Sequence, residues 1–443
     1  MKFIYVLLIM FSFFGCSFDN KTGIWKSESD PSVENINEVI FKDFKKISSS
    51  RILFNEIIEL EKNFVFQVNK PITVRSWQDI FYNNNNNLIN FKYYNQNKIK
   101  SKSKKLTKYP TNKYILFEKN NLISSDVKGN IIIYSLSNKS ITVKFNFYKK
   151  KYKDKKKKIN FIVENNVIYA SDNLGYLYAY NYEKDKIIWA KNYKIPFRSN
   201  IKLLKDKIIT SNQNNNLLIF EKNTGKIIKT IPSEDTIVNN SFVNNIVLSD
   251  EEIFFLNTYG SLYSIDINSY NINWFLNFNK STDRNLNNLF FGSHLVLNNN
   301  NILLSSNENF YLIDAKNGSV IYRKNFSSIF KPIVNNKYFF LITKNNLLVS
   351  VKLNSGQILY SYNIPQKVAD FINTKRKTLE FKNLMFVNGN IYVFLKNSHV
   401  IKFNINGEII DIIKLPTNLK SEPIFVNNLL LYLNKKNQLL TIN

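Results

Sequence analysis

The sequence predicts an all-β protein, an eight-bladed β-propeller of four-stranded antiparallel blades whose ring is closed by an N-terminal strand. Three observations carry that expectation. A unit of about forty residues recurs from residue 115 onward, the period expected of propeller blades. The last copy supplies only two strands before Asn443. One isolated strand pattern lies upstream of the repeats, where it can provide what the last copy lacks.

The first element is the N-terminus, MKFIYVLLIMFSFFGCS. Lys2 gives a positive start, and the apolar stretch 3–14 has signal-peptide length, too short to span a bilayer as a helix. Gly15 precedes Cys16, the only cysteine, and this pair resembles the lipobox of bacterial lipoproteins. The resemblance implies that residues 1–15 are a cleaved signal and that Cys16 becomes the lipidated first residue. Phe13 and Phe14 depart from the usual lipobox. Ordinary secretion with an incidental thiol, or an uncleaved anchor, therefore remains open. Ser17 follows the cysteine; Asp there resembles an inner-membrane retention signal, so its absence implies the outer membrane. With one cysteine no intrachain disulfide can form, and the core must hold without staples.

Residues 16–60 read as a polar tether followed by a short docking helix. Ile36, Val39, Ile40 and Phe44 lie at helical spacing, with Asp30 or Ser32 as a possible cap. The propeller is expected over 61–443. Its first part, 61–71, alternates Phe64, Phe66 and Val68 in the manner of a lone strand, and this segment is expected to complete the eighth blade.

Copies begin near Asn121, Asn166, Asp206, Glu251, Asn301, Asn336, Asn390 and Asn428, each with three clear strands and a weaker fourth in the link, the last cut short. Gly129, Gly175 and Gly260 precede the middle strand at one offset, and Gly225, Gly318, Gly356 and Gly407 fall in the next turn. Trp189, Trp274, Tyr322 and Tyr360 occupy one blade position, which suits packing between blades. A lone blade cannot bury both faces, and closing the ring removes the exposed ends. Gly (11) and Pro (9) are too scarce for so many turns. Asn, about one residue in six, is expected to make them because it tolerates left-handed backbone. The same abundance of Asn, Lys and Ile also fits an AT-rich genome.

Net charge is +28, but lysine is spread along the whole chain instead of concentrating on one face as nucleic-acid binding requires. The dense run 149–158 reads as a solvated loop between strands. No phosphate-binding loop, zinc pattern or G-x-S-x-G is present, and His294 and His399 lie in different copies without a partner at metal spacing.

The frame G-x-L-Y-x-x-[DN]-x-x-x-G-x-x-x-W, present as GYLYAYNYEKDKIIW and GSLYSIDINSYNINW, resembles the repeat of quinoprotein-type propellers. Over the whole chain from Cys16 the closer resemblance is to BamB-type lipoproteins of the outer-membrane β-barrel assembly machinery. That resemblance implies a non-enzymatic scaffold with no cofactor, lipid-anchored on the periplasmic face of the outer membrane. Its partners would be the periplasmic domains of the central assembly protein, engaged through propeller loops or strand addition. Insertions 76–113, 280–300 and 366–388, the last containing Lys375, Arg376 and Lys377, are the candidate contacts. Two alternatives stand: a cell-wall or polysaccharide-binding propeller, and a quinone-dependent dehydrogenase. The second resemblance implies a calcium site and a vicinal disulfide, and a single cysteine excludes the disulfide.

Overall fold

The structure, a computed structural model, describes residues 54–148, 152–234, 243–279 and 290–443, with two short strands before them. The chain divides into two compact units, Met1–Ile52 and Leu53–Asn443. Of the first, Ser17–Phe18 pairs antiparallel with Trp25–Lys26. Cys16 and the expected helix near Val39 lie outside the described residues.

The second unit is the propeller. Eight antiparallel sheets follow one another along the chain, and blades 1 to 6 each take four consecutive strands. Their inner strands are Thr111–Glu118, Ile159–Glu164, Lys202–Leu204, Asn245–Leu248, Val296–Asn298 and Ile333–Asn335. Blade 7 begins at Phe381–Val387 and blade 8 at Ile424–Val426. The weak links between sequence copies are thus the inner strands of the blades. Inner and middle strands are largely buried because neighbouring blades cover them, whereas an outer strand such as Lys186–Asn192 is exposed over most of its length.

The core follows from this stacking. Apolar wedges lie between blades 2 and 3, 3 and 4, 4 and 5, and 5 and 6. A larger cluster joins blades 6, 7, 8, 1 and 2 through the N-terminal residues Trp77, Phe81, Leu88 and Phe91. The recurring aromatic is the contact between blades, as its repeat position suggests. The Trp189 indole N–H donates to the Lys222 carbonyl of the next blade at 2.9 Å, and Trp274 does the same to Ala315 at 2.9 Å. Gly225 underlies that indole: a Cβ there would sit 2.5 Å from Trp189, and its φ of +67° already favours glycine. Asparagine makes turns as expected, with positive φ at Asn166, Asn215, Asn299, Asn336 and Asn428 among others. At the hairpins between second and third strands a side-chain oxygen caps the turn: Asn257 Oδ1 accepts from the Tyr259 and Ser261 amides at 3.0 and 2.9 Å.

One expectation is corrected. The ring is closed by an N-terminal strand, but that strand is Ile99–Lys105, paired antiparallel with the last strand, Gln438–Ile442. Residues 61–71 join no sheet; they open with a turn in which the Phe64 amide donates to the Glu61 carbonyl, and Phe64 and Phe66 pack on Tyr338, with Phe66 4.9 Å from it. The insertion 76–113 supplies part of the ring's centre, its closing strand and the start of blade 1. Residues 72–95 wind once around the propeller axis and meet the end of every inner strand in turn. Val74 accepts from Asn427 of blade 8 at 2.7 Å, and Trp77 exchanges two hydrogen bonds with Phe117 of blade 1 at 2.7 and 2.8 Å. Gln78 accepts from Val163 of blade 2, Asn84 from Leu248 of blade 4 and Asn85 from Leu297 of blade 5, at 3.0, 2.9 and 2.9 Å. The Asn84 side chain donates to Leu203 of blade 3 at 3.3 Å, and the Asn87 side chain pairs with both backbone groups of Val334 in blade 6. Asn90–Phe91 adds a parallel strand to blade 7, and Tyr94 returns to blade 8 at Asn428. These residues form a plug, and the backbone ends of the inner strands find partners there instead of in solvent.

Candidate functional site: the axial channel and the blade rim

The plug is fixed by one buried charge pair. Lys202, fully buried in the inner strand of blade 3, donates to Asp79 Oδ2 at 2.7 Å, to the Asn83 carbonyl at 2.6 Å and to Asn86 Oδ1 at 2.6 Å. All three ammonium hydrogens are used. Asp79 Oδ1 accepts from the Phe81 amide at 2.7 Å, so the carboxylate is bonded on both oxygens. Burial lowers the lysine pKa, and Asp79 opposes that shift. Asn86 uses its other end on Leu295 and Ile246, tying the same point to blades 4 and 5.

Beside the plug lies a cavity of about 270 Å³. Trp77, Ile80, Phe81 and Leu88 of the plug line it, together with Lys113, Lys331, Lys382 and Glu422 from the starts of blades 1, 6, 7 and 8. Lys331 donates to the Phe81 and Asn86 carbonyls at 3.1 and 2.6 Å. Burial, reinforced by Lys202, pulls its pKa down to about 7. The His294 ring lies tilted against Phe81, with centroids 4.3 Å apart. The Leu295 amide donates to Asn245 Oδ1, which turns the Asn245 amide nitrogen toward His294 Nδ1 at 2.9 Å. The imidazole accepts there and is neutral. Burial, then Lys113, Lys331 and Lys202, lower its pKa to about 3. His399 lies apart, at the start of a blade 7 strand. Among the described residues no three His, Cys, Asp or Glu groups come together as a metal site.

The rim differs from blade to blade. In blades 1 to 7 a bulge displaces the outer strand at one register, directly after a β-branched residue: Ile141, Ile187, Ile227, Ile272, Val320, Ile358 and Ile409. The next position is exposed in blades 1 to 5 and 7, as an isoleucine at Ile188 (49%), Ile228 (42%), Ile321 (45%) and Ile410 (51%). In blade 6 that position is Leu359, and it is 7% exposed. The reason is a segment of the chain itself. Residues 56–60 lie along this edge, where Ile58 and Ser361 exchange backbone hydrogen bonds at 3.2 and 2.9 Å, and just before them Phe54 donates to Asn325 at the end of the blade 5 outer strand. A single helix among the described residues, Ile364–Phe371, follows blade 6 and is capped by Asn363.

Of the other expected contacts, residues 280–289 lie outside the described residues, and Ser293 and His294 line the cavity. Lys375, Arg376 and Lys377 are exposed after the helix. The described part of the lysine run, 152–158, is a loop between blades 1 and 2 as expected, except that Lys157 is buried and donates to the Tyr152 carbonyl. The plug carried no recognised signal; the run Asn83–Asn87 was its trace, hidden in a sequence rich in asparagine everywhere. No helix of the described residues is long and apolar enough to cross a membrane.

Comparison with known proteins agrees with this architecture. A family model described as outer membrane protein assembly factor BamB matches residues 115–321 and 162–362. No curated protein sequence matches. Among solved structures, BamB from Moraxella catarrhalis is 12% identical with a TM-score of 0.62, over 78% of this chain and 99% of that one. The computationally designed Ika8 protein is 10% identical with a TM-score of 0.56, over 77% and 99%. Quinohemoprotein alcohol dehydrogenase from Comamonas testosteroni is 8% identical with a TM-score of 0.61, over 83% and 80%. At these identities the structures share the fold alone, and the family match separates them.

Proposed function

The chain belongs to the family of outer membrane protein assembly factor BamB, and from that premise we propose that it is a non-enzymatic scaffold lipoprotein of the outer-membrane β-barrel assembly machinery. In this reading Cys16 carries the lipid that holds the chain on the periplasmic face of the outer membrane. The ring presents its rim and loops to the periplasmic domains of the central assembly protein. One observation carries the binding mode. Blade 6 already accepts an extended segment along its outer edge, through Ile58 and Ser361, while the matching edges of blades 2, 3 and 5 expose apolar side chains. Unpaired edges of this kind take an added strand from a partner, with backbone hydrogen bonds for affinity and apolar side chains for register. The edges of blades 2, 3 and 5 carry lysine or arginine among the apolar residues, as in KIIWAKN, IIKTI and VIYRK, which suits an acidic partner strand.

The test is capture of the full lipidated chain from detergent-solubilised membranes, with identification of what accompanies it. Recovery of the barrel-assembly protein, lost in an Ile188→Lys/Ile228→Lys variant that keeps its melting temperature, is the expected result. Recovery of glycans alone, or of a bound quinone, would overturn the reading. A Cys16→Ser variant that still partitions with the outer membrane would remove the lipid-anchor part of it.

A further inference from the structure

Nothing in the scaffold reading uses the axial cavity, and its chemistry is specific. Its lining is apolar on the plug side and cationic on the blade side: Lys113, Lys331 and Lys382 face a single carboxylate, Glu422. That carboxylate is already engaged, with Lys113 at 3.1 Å and the Asn383 amide at 2.7 Å. Lys382 donates to the Lys420 carbonyl at 2.7 Å, and Lys331 to two carbonyls. An ammonium group has three hydrogens, so both lysines keep donors to offer. Lys202 and Asp79 neutralise each other beneath the floor. A second feature is independent of charge. Ser293 lines the cavity, is 4% exposed, and its hydroxyl has no hydrogen-bond partner among the described residues. A buried hydroxyl left this way costs about 1–3 kcal/mol unless something else bonds it.

We propose that the axial cavity is a binding site for a small amphiphilic carboxylate, whose apolar body rests on the plug and whose anionic head is taken by Lys331, Lys382 and Ser293. Trp77, Phe81 and Leu88 remove the body from water, and the surplus of cations sets the charge of the head. A neutral molecule of the same shape leaves the lysine donors unanswered, and a cation meets like charge. The proposal does not depend on the scaffold function and stands or falls without it.

Calorimetry on the full chain in lipid nanodiscs, referenced to empty nanodiscs, tests it with 2-naphthoate and octanoate against their neutral amides, 2-naphthamide and octanamide. The expected result is one-to-one binding of at least one carboxylate, with its amide weaker by about tenfold or more. Whichever carboxylate binds more tightly identifies a ring or a chain as the preferred body, and either supports the site. Lys331→Gln/Lys382→Gln, which removes both cations assigned to the head, should weaken binding by a similar factor. Lys375→Gln/Lys377→Gln, which changes net charge equally on an exposed loop, should leave it unchanged. Absence of saturable binding by both carboxylates, equal binding of the amides, or equal loss in the loop variant would overturn the proposal.

Discussion

The axis and the rim of this propeller solve the same problem in opposite ways. Both are places where strand edges or ends run out of neighbours. At the axis the chain brings its own partner: residues 72–95 touch all eight blades, and backbone, amide and ammonium groups there are paired with one another. Among the described residues, only blade 6 is treated in that manner at the rim, by residues 56–60. Blades 2, 3 and 5 keep open edges with exposed isoleucine. Stability is therefore concentrated at the centre, and the periphery is free to bind.

Substitutions graded from centre to edge can break this comparison. The largest effect is expected for Lys202→Met, which leaves the Asp79 carboxylate buried without its cation and costs about 3–5 kcal/mol in chemical denaturation. Adding Asp79→Leu should recover much of that loss, because the desolvation cost leaves with the pair. An unchanged denaturation midpoint in the single variant would mean that the plug is not tied at this point. Next is acid sensitivity. The folded pKa of His294 is lowered to about 3, so as pH falls below the ordinary value of 6.5 the unfolded chain takes up the proton first. Stability from this residue is thus complete above pH 6.5 and declines toward pH 3. The decline should be smaller in His294→Gln, read as the slope of melting temperature against pH.

A smaller loss, about 1–3 kcal/mol, is expected for Gly225→Ala, which forces a methyl into Trp189 and onto left-handed backbone. Trp189 emission reports the displaced ring. The smallest change in stability, within about 0.5 kcal/mol, belongs to Ile228→Lys at the rim. If that substitution lowers the melting temperature as much as Gly225→Ala does, the rim is structural and the contrast fails.

The blades were legible in the sequence because each repeats the same physical demands. A hairpin needs its Asx or glycine turn, middle strands covered on both sides need continuous apolar residues, and an aromatic must lie over the next blade's glycine. The closing strand was hidden for a related reason. Ile99–Lys105, IKSKSKK, is an outer edge with most side chains in solvent, so it shows no apolar alternation and carries the lysines that discourage pairing with other chains. Residues 61–71 do alternate, because Phe64 and Phe66 pack on Tyr338. Alternation records which side chains are covered; it does not record which backbone is paired. The cavity was equally invisible, since Lys113, His294, Lys331, Lys382 and Glu422 come from blades 1, 5, 6, 7 and 8 and meet only after the ring closes.

The single circuit of residues 72–95 also sets the order of folding. This segment leaves the ribosome before any blade, yet Thr73 bonds to Asn428, 355 residues later. Such contacts between distant parts of the chain make closure slow. Early blades can stack in sequence, but the plug cannot settle until blade 8 has arrived. The N-terminal segment must therefore remain open, and a chain cut short anywhere before Asn428 is left without its hub.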